Sequence, residues 1–237
     1  MVCTDCETDK PASEFYTNNK QCKPCARLRS KLRYQANKEK LAKFHYLRRM
    51  GYKLEAFEAY GGIRCVCCKE EHPDFLVLDH VDGGGTAHRE NRAGAEFYRH
   101  LKNLGYPQEP RLQVMCFNCN AAKEYARGCP HEGRPWVLTL WQHQTRQLKQ
   151  QIMSVYGTEC ACCNETQLEF LSIDHINNDG AAHRREINGD KPRASGTKLY
   201  KWLKQNGFPQ DLGLQTLCHN CNSGKTRQKG VCPHHAR

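Results

Sequence analysis

Two stretches of the chain repeat one pattern of ionisable residues: DHVDGGGTAHR at 79–89 and DHINNDGAAHR at 174–184. Each sets an Asp-His pair before a glycine-bearing turn and a His-Arg pair after it. An imidazole that titrates near neutral pH can move a proton, a carboxylate can hold a hard divalent cation, and a guanidinium can hold an anion. Phosphodiester hydrolysis needs these together: a base for water, a cation for charge on the phosphate and leaving oxygen, and positive groups for the strand.

What positions these groups is an internal repeat. CVCC at 65–68 aligns with CACC at 160–163, and FLVLDH at 75–80 with FLSIDH at 170–175. Further on, FYRHLKNLGYP at 97–107 matches LYKWLKQNGFP at 199–209, and LQVMCFNCNAAK at 112–123 matches LQTLCHNCNSGK at 214–225. The offset grows from 95 to 102 residues, so the second copy carries a seven-residue insertion near NGDKPRASG, which must form a loop. The copies close on Cys129-Pro130-His131 and Cys232-Pro233-His234. Between them, PWVLTLWQHQTRQLKQQIMSVYG reads as a helix with an apolar side.

Only 38% of the 237 residues are hydrophobic, which excludes large cores, and sixteen are cysteine. That leaves disulfides or metal to hold the chain together. MVCTDCETDK lacks an apolar leader and no run reaches the length of a membrane span, so a soluble, reducing, cytoplasmic setting and metal are expected. Cys3, Cys6, Cys22 and Cys25 follow C-x2-C-x15-C-x2-C, the spacing of two knuckles on one Zn²⁺. Cys65, Cys68, Cys116 and Cys119 make a second set, and Cys160, Cys163, Cys218 and Cys221 a third, each closing a loop around its Asp-His stretch. Cys67 and Cys129 in the first copy, and Cys162 and Cys232 in the second, are left over. Either they are buried free thiols, or they join His131 or His234 and a fourth ligand, for which His88 or His183 is the candidate, on another zinc. The zinc count expected is therefore at least three and at most five.

The net charge is +11, and residues 26–53 carry ten Lys or Arg against the single acid Glu39. No Pro or Gly interrupts this segment before Gly51, so a helix leaving the zinc knuckle is expected. Its footprint suits a phosphate backbone, with Leu28, Leu32, Leu41, Phe44 and Leu47 left for packing; the alternative is a merely solvated helix.

The pattern Asp-His, a loop, then C-x-x-C-N with Lys three residues later resembles the HNH (ββα-metal) endonucleases, in particular the recombination endonuclease VII branch, over about 60–131 and 156–235. The resemblance implies an α+β chain of two tandem ββα-metal domains, 60–131 and 156–237. A zinc module (1–25) and a basic helical segment (26–59) precede them and a helix (132–155) links them. It makes His80 and His175 general bases. It gives Asp79 with Asn120, and Asp174 with Asn222, one Mg²⁺ or Mn²⁺ per site. Lys123 and Lys225 would contact the DNA backbone, and Arg89 and Arg184 would clamp phosphate. The implied partner is double-stranded or branched DNA, cut by a monomer acting as an internal pseudo-dimer or by a dimer; many such proteins are phage-encoded. A zinc-dependent DNA-binding regulator that does not cut is the alternative.

The chain departs from this family at Arg111 and Gly213, where many members place an asparagine that braces the loop. Neighbouring strand residues also face opposite ways, so the strand must end or bulge where Asp79 and His80 serve one site. Asn120 and Asn222 have a second possible role as helix N-caps.

Overall fold

The computed structural model describes residues 1–90, 92–126, 128–133, 137–189, 196–228 and 230–235. It is a mixed α and β structure with short two-stranded sheets, and it divides into two compact units, 1–53 and 54–237. The seven-residue insertion falls mainly on 190–195, outside the described residues. Among the described residues no helix is long and apolar enough to cross a membrane.

In the first unit, single bridges Val2 to Asp9 and Phe15 to Cys22 bring the two cysteine pairs together. The core there is Cys3, Phe15 and Cys22, with Cys25 against it. One aromatic ring cannot sustain such a fold, which leaves the folding energy to a metal. Helix α1 follows as Lys23–Ala59 and runs through Gly51 without a break. Leu28, Leu32, Phe44 and Leu47 are each more than half exposed, at 56–58%, so the packing role expected for them is not what the structure gives. Over 27–41 every residue of the helix is exposed.

The second unit holds the repeat. The first copy is β1 (Leu76–His80), α2 (Gly85–Arg89), α3 (Ala95–Asn103), β2 (Leu112–Cys116) and α4 (Phe117–Ala126). Helix α5 (Leu140–Tyr156) follows, opened by a capping box in which Thr139 and Gln142 bond reciprocally. The second copy is β3 (Leu171–His175), α6 (Gly180–Asn188), α7 (Gly196–Gln205), β4 (Leu214–Cys218) and α8 (His219–Arg227). Each sheet is one antiparallel pair with matching register: Asp79 faces Gln113 and His80 faces Leu112, as Asp174 faces Gln215 and His175 faces Leu214. Five-residue hairpin-like pairs need support from outside the sheet. Buried Leu76, Leu78, Phe97, Leu101 and Val114 give it in the first copy, with Leu171, Leu199, Leu203 and Leu217 in the second.

A matching contact marks the start of each copy. Tyr60, after the end of α1, donates its hydroxyl to Pro107 O at 2.9 Å, and Tyr156, at the end of α5, donates to Pro209 O at 2.9 Å. Helix α5 is thus the counterpart of the last turns of α1, besides linking the copies.

The two copies meet through reciprocal contacts. Asn118 on α4 and Asn220 on α8 exchange backbone-to-side-chain hydrogen bonds of 3.0 and 2.9 Å. Phe75 of the first copy lies against the His234 ring, centroids 4.9 Å apart, and Phe170 of the second lies against His131 at 5.1 Å. Reciprocity of this kind is the mark of an isologous, pseudo-twofold interface. The approach is close: a Cβ on Gly224 would stand 2.6 Å from Pro233 and 2.7 Å from Phe75.

Candidate functional site

The sixteen cysteines gather into five sets of metal-ligand geometry, each with all its ligand atoms within 4.8 Å of one another. Three are the four-cysteine sets read from spacing: Cys3, Cys6, Cys22, Cys25; Cys65, Cys68, Cys116, Cys119; and Cys160, Cys163, Cys218, Cys221. The others are Cys67, Cys129, His131 with Cys119, and Cys162, Cys232, His234 with Cys221. The fourth ligand is therefore a cysteine already used once, not His88 or His183.

Sulfurs on a tetrahedral zinc lie about 3.8 Å apart. Cys6 and Cys22 are at 3.9 Å, Cys68 and Cys116 at 3.6 Å, and Cys163 and Cys218 at 3.8 Å. Such crowding splits the thiols: neighbouring sulfurs pull Cys65 and Cys160 far below their ordinary values and push Cys221 far above. Thiolates held this close need a cation between them, so the donor sets fit zinc.

Each Asp-His pair sits at the end of its strand. The ladder stops at His80 and His175, and the chain turns immediately, Gly83 N donating to His80 O and Asn178 N to His175 O. The strand ends there; no bulge is needed.

Both histidines are buried, and each is paired with a second histidine. His80 Nε2 lies 2.8 Å from His88 Nδ1, and His175 Nε2 lies 2.8 Å from His183 Nδ1. His88 and His183 are thus partners of the candidate bases. The opposite nitrogen, Nδ1, faces the first turn of the next helix so closely that a Cβ on Gly85 would stand 2.8 Å from it, and one on Gly180 2.7 Å. Burial, then the neighbouring histidine, lowers the proton affinity of His80 and His175, so both are neutral near pH 7.

Lys123 and Lys225 both turn their ammonium groups onto the chain, Lys225 buried and Lys123 partly exposed. Lys123 Nζ donates to Asp79 Oδ2 at 2.6 Å, His80 O at 3.0 Å and Val81 O at 3.2 Å, and Lys225 does the same to Asp174 Oδ2, His175 O and Ile176 O at 2.7, 2.9 and 3.2 Å. All three ammonium donors are used on the turn. This lysine braces the turn, helped in the first copy by a bidentate Arg111–Asp82 pair of 3.1 and 2.8 Å.

Gln113 and Gln215, whose residue type and spacing suggest no role, donate to the same Asp Oδ2 at 2.7 and 2.8 Å across the strand pair. Their only signal was the Leu-Gln that recurs in both copies. Both partners engage Oδ2 rather than Oδ1. Asn120 Oδ1 is buried without a partner, and Asn222 commits its Nδ2 to Ser172 Oγ at 3.1 Å, leaving its amide oxygen. A carboxylate oxygen and an amide oxygen per copy fit Mg²⁺ or Mn²⁺. Neither asparagine is an N-cap: both stand inside their helices, and the α8 cap is Cys218, whose sulfur accepts from Cys221 N.

In the second copy one cleft of about 470 Å³ collects Asp174, His175, Gly180, Arg184 and Asn222. Arg89 is placed otherwise: its guanidinium lies 5.5 Å over the Phe97 ring and donates to Leu78 O at 3.2 Å, with Nε buried and unpartnered.

No family model, curated protein or solved structure matches the chain.

Proposed function

We propose that the chain is a metal-dependent DNA endonuclease of the HNH type with two sites, His80 and His175 being the general bases. The observation that carries this is the cleft holding Asp174, His175, Asn222 and Arg184 together. The first copy repeats the Asp, His and Asn of this set and the hydrogen bonds of its Asp and His.

In this reading His80 Nε2–H donates to His88 Nδ1, which leaves Nδ1 unprotonated on the side of Gly85. Nδ1 takes a proton from water as the water oxygen bonds to phosphorus and the bond from phosphorus to the leaving oxygen breaks. The resulting imidazolium keeps its bond to His88, now charge-assisted and stronger. A divalent cation held by Asp79 with Asn120, or Asp174 with Asn222, would carry charge on the phosphate and leaving oxygen. Arg184 borders the cleft where a phosphate would lie, and the solvated basic helix α1 suits the flanking duplex. Two sites related by a pseudo-twofold suit the two strands of one duplex.

A second reading has one observation in its favour: the Lys225–Asp174 pair is buried on both sides, which neutralises the carboxylate a cation would use. This favours a zinc-dependent DNA-binding protein that does not cut. Supercoiled plasmid with Mg²⁺ at low salt separates the two. Wild type should linearise it, His80→Ala and His175→Ala should only nick, and the double variant should leave it intact. Binding without cleavage in Mg²⁺ and Mn²⁺, on plasmid and branched DNA alike, would establish the second reading.

A further inference from the structure

Every thiol in the repeat copies lies in a metal-binding set, but a single cysteine of each copy lies in two. Cys119 is within ligand range of Cys65, Cys68 and Cys116 on one side and of Cys67, Cys129 and His131 on the other. Cys221 stands in the same relation to Cys160, Cys163 and Cys218, and to Cys162, Cys232 and His234. We propose that each copy binds a pair of zinc ions joined by one bridging thiolate, Cys119 in the first copy and Cys221 in the second. The inference does not depend on whether the protein cleaves DNA.

Ligand number supports it. Zinc in structural sites is four-coordinate, so one ion cannot use the seven donors each copy brings together, and two ions need eight positions. One doubly used sulfur supplies the eighth. With both bridges and the N-terminal four-cysteine set, the sixteen cysteines and two histidines fill five tetrahedral sites with no thiol left over.

Distances support it as well. A sulfur and an imidazole nitrogen on one tetrahedral zinc lie about 3.5 Å apart. His131 Nδ1 is 3.4 Å from Cys119 Sγ and 3.3 Å from Cys129 Sγ. His234 Nδ1 is 3.4 Å from Cys221 Sγ, 3.5 Å from Cys232 Sγ and 3.6 Å from Cys162 Sγ. The histidine is therefore as near the shared sulfur as it is to its own set. Thiolate sulfur has lone pairs for two metals, and sharing one removes a negative charge that two separate four-ligand sets would concentrate in the same volume.

The second ion of each pair also has a place in the fold. Its histidine ligand stacks on a phenylalanine of the opposite copy, His131 on Phe170 and His234 on Phe75. The bridging Cys119 stands between Asn118, which bonds the opposite copy, and Asn120, the candidate cation ligand. The pair thus ties the seam between copies to the candidate site through consecutive residues.

The test uses the full chain. Native mass spectrometry of zinc-loaded wild type should give five zinc ions per chain. After exchange to ¹¹³Cd, NMR should show five resonances, four of them split in two mutually coupled pairs by the shared sulfurs. Three ions, or five resonances with no metal–metal coupling, would overturn the proposal. His131→Ala with His234→Ala should lower the count from five to three and abolish the splitting; retention of all five would equally overturn it. If that variant does not fold, the wild-type spectrum still decides.

Discussion

Asn118 and Asn220 hold each other across the two copies: each backbone N–H donates to the other's side-chain Oδ1, at 3.0 and 2.9 Å, and both residues are buried. Truncating either to Ala leaves one buried N–H without its acceptor, a loss of about 1–3 kcal/mol. Asn118→Ala and Asn220→Ala should each lower the denaturant midpoint, and the double variant should depart from additivity because the pair forms one contact. Additive effects in a urea double-mutant cycle would show that the two bonds act independently.

Lys225 offers a check on its inward placement. Lys225→Met strips a buried carboxylate of its partner and two carbonyls of their donor, which should destabilise the protein by about 3–5 kcal/mol. A lysine serving only the DNA backbone would leave the melting temperature unchanged and weaken DNA binding alone. Differential scanning calorimetry together with a binding titration distinguishes these outcomes.

At Gly85 and Gly180 there is no room for a methyl group beside the imidazole. Gly85→Ala and Gly180→Ala should displace the ring of His80 or His175 and lower cleavage at that site by about 100-fold, since a misplaced group loses its orientation advantage. Zinc content should not change. Full activity in both variants would show that Nδ1 is not the working nitrogen.

In the proposed mechanism His88 positions His80 through the hydrogen bond between His80 Nε2 and His88 Nδ1. His88→Leu should lower kcat with little change in KM. His88→Asn, whose amide oxygen can accept the same Nε2–H, should recover most of the rate. Equal loss in both would point to packing against Phe97 as the only role of the ring.

Lys149 sets a pH dependence of stability. It is buried on α5, where desolvation pushes it down to about 8 from 10.5 although Glu169 opposes the shift. Between pH 8 and 10.5 the unfolded chain holds this proton and the folded chain does not, so stability should rise with pH across that window. The stabilisation is complete above 10.5 and lost as pH falls through 8, on the order of 3 kcal/mol in all. Lys149→Met should flatten this slope in urea titrations at several pH values and be the more stable form at pH 7.

The sequence told much about the metal sites and less about what surrounds them. Cysteine spacing yielded the three four-cysteine sets because two knuckles impose a local geometry that spacing records. The second use of Cys119 and Cys221 escaped it, since matching by spacing assigns each thiol once. The strand carrying Asp-His was expected to end or bulge at that pair, and it ends there. The inward turn of Lys123 was not readable, because its acceptors are backbone carbonyls of His80 and Val81, more than forty residues away and invisible to residue type. His88 was flagged by its recurrence but not by its role, which depends on the rotation of a ring. The exposed Leu28, Leu32, Phe44 and Leu47 show the opposite error: apolar residues on a helix suggest packing, yet each of these is more than half exposed.

Phe75 over His234 and Phe170 over His131 make each copy the lid on the other's metal ligand. A gene carrying a single copy would encode a polypeptide with a sticky aromatic face and a matching imidazole, and two such molecules would satisfy each other. Joining the copies in one reading frame removes the dilution limit on that encounter and frees the halves to drift apart. Ala122 in one copy and Gly224 in the other, at matching positions of α4 and α8, show such a difference: the methyl group present in the first half has no room in the second.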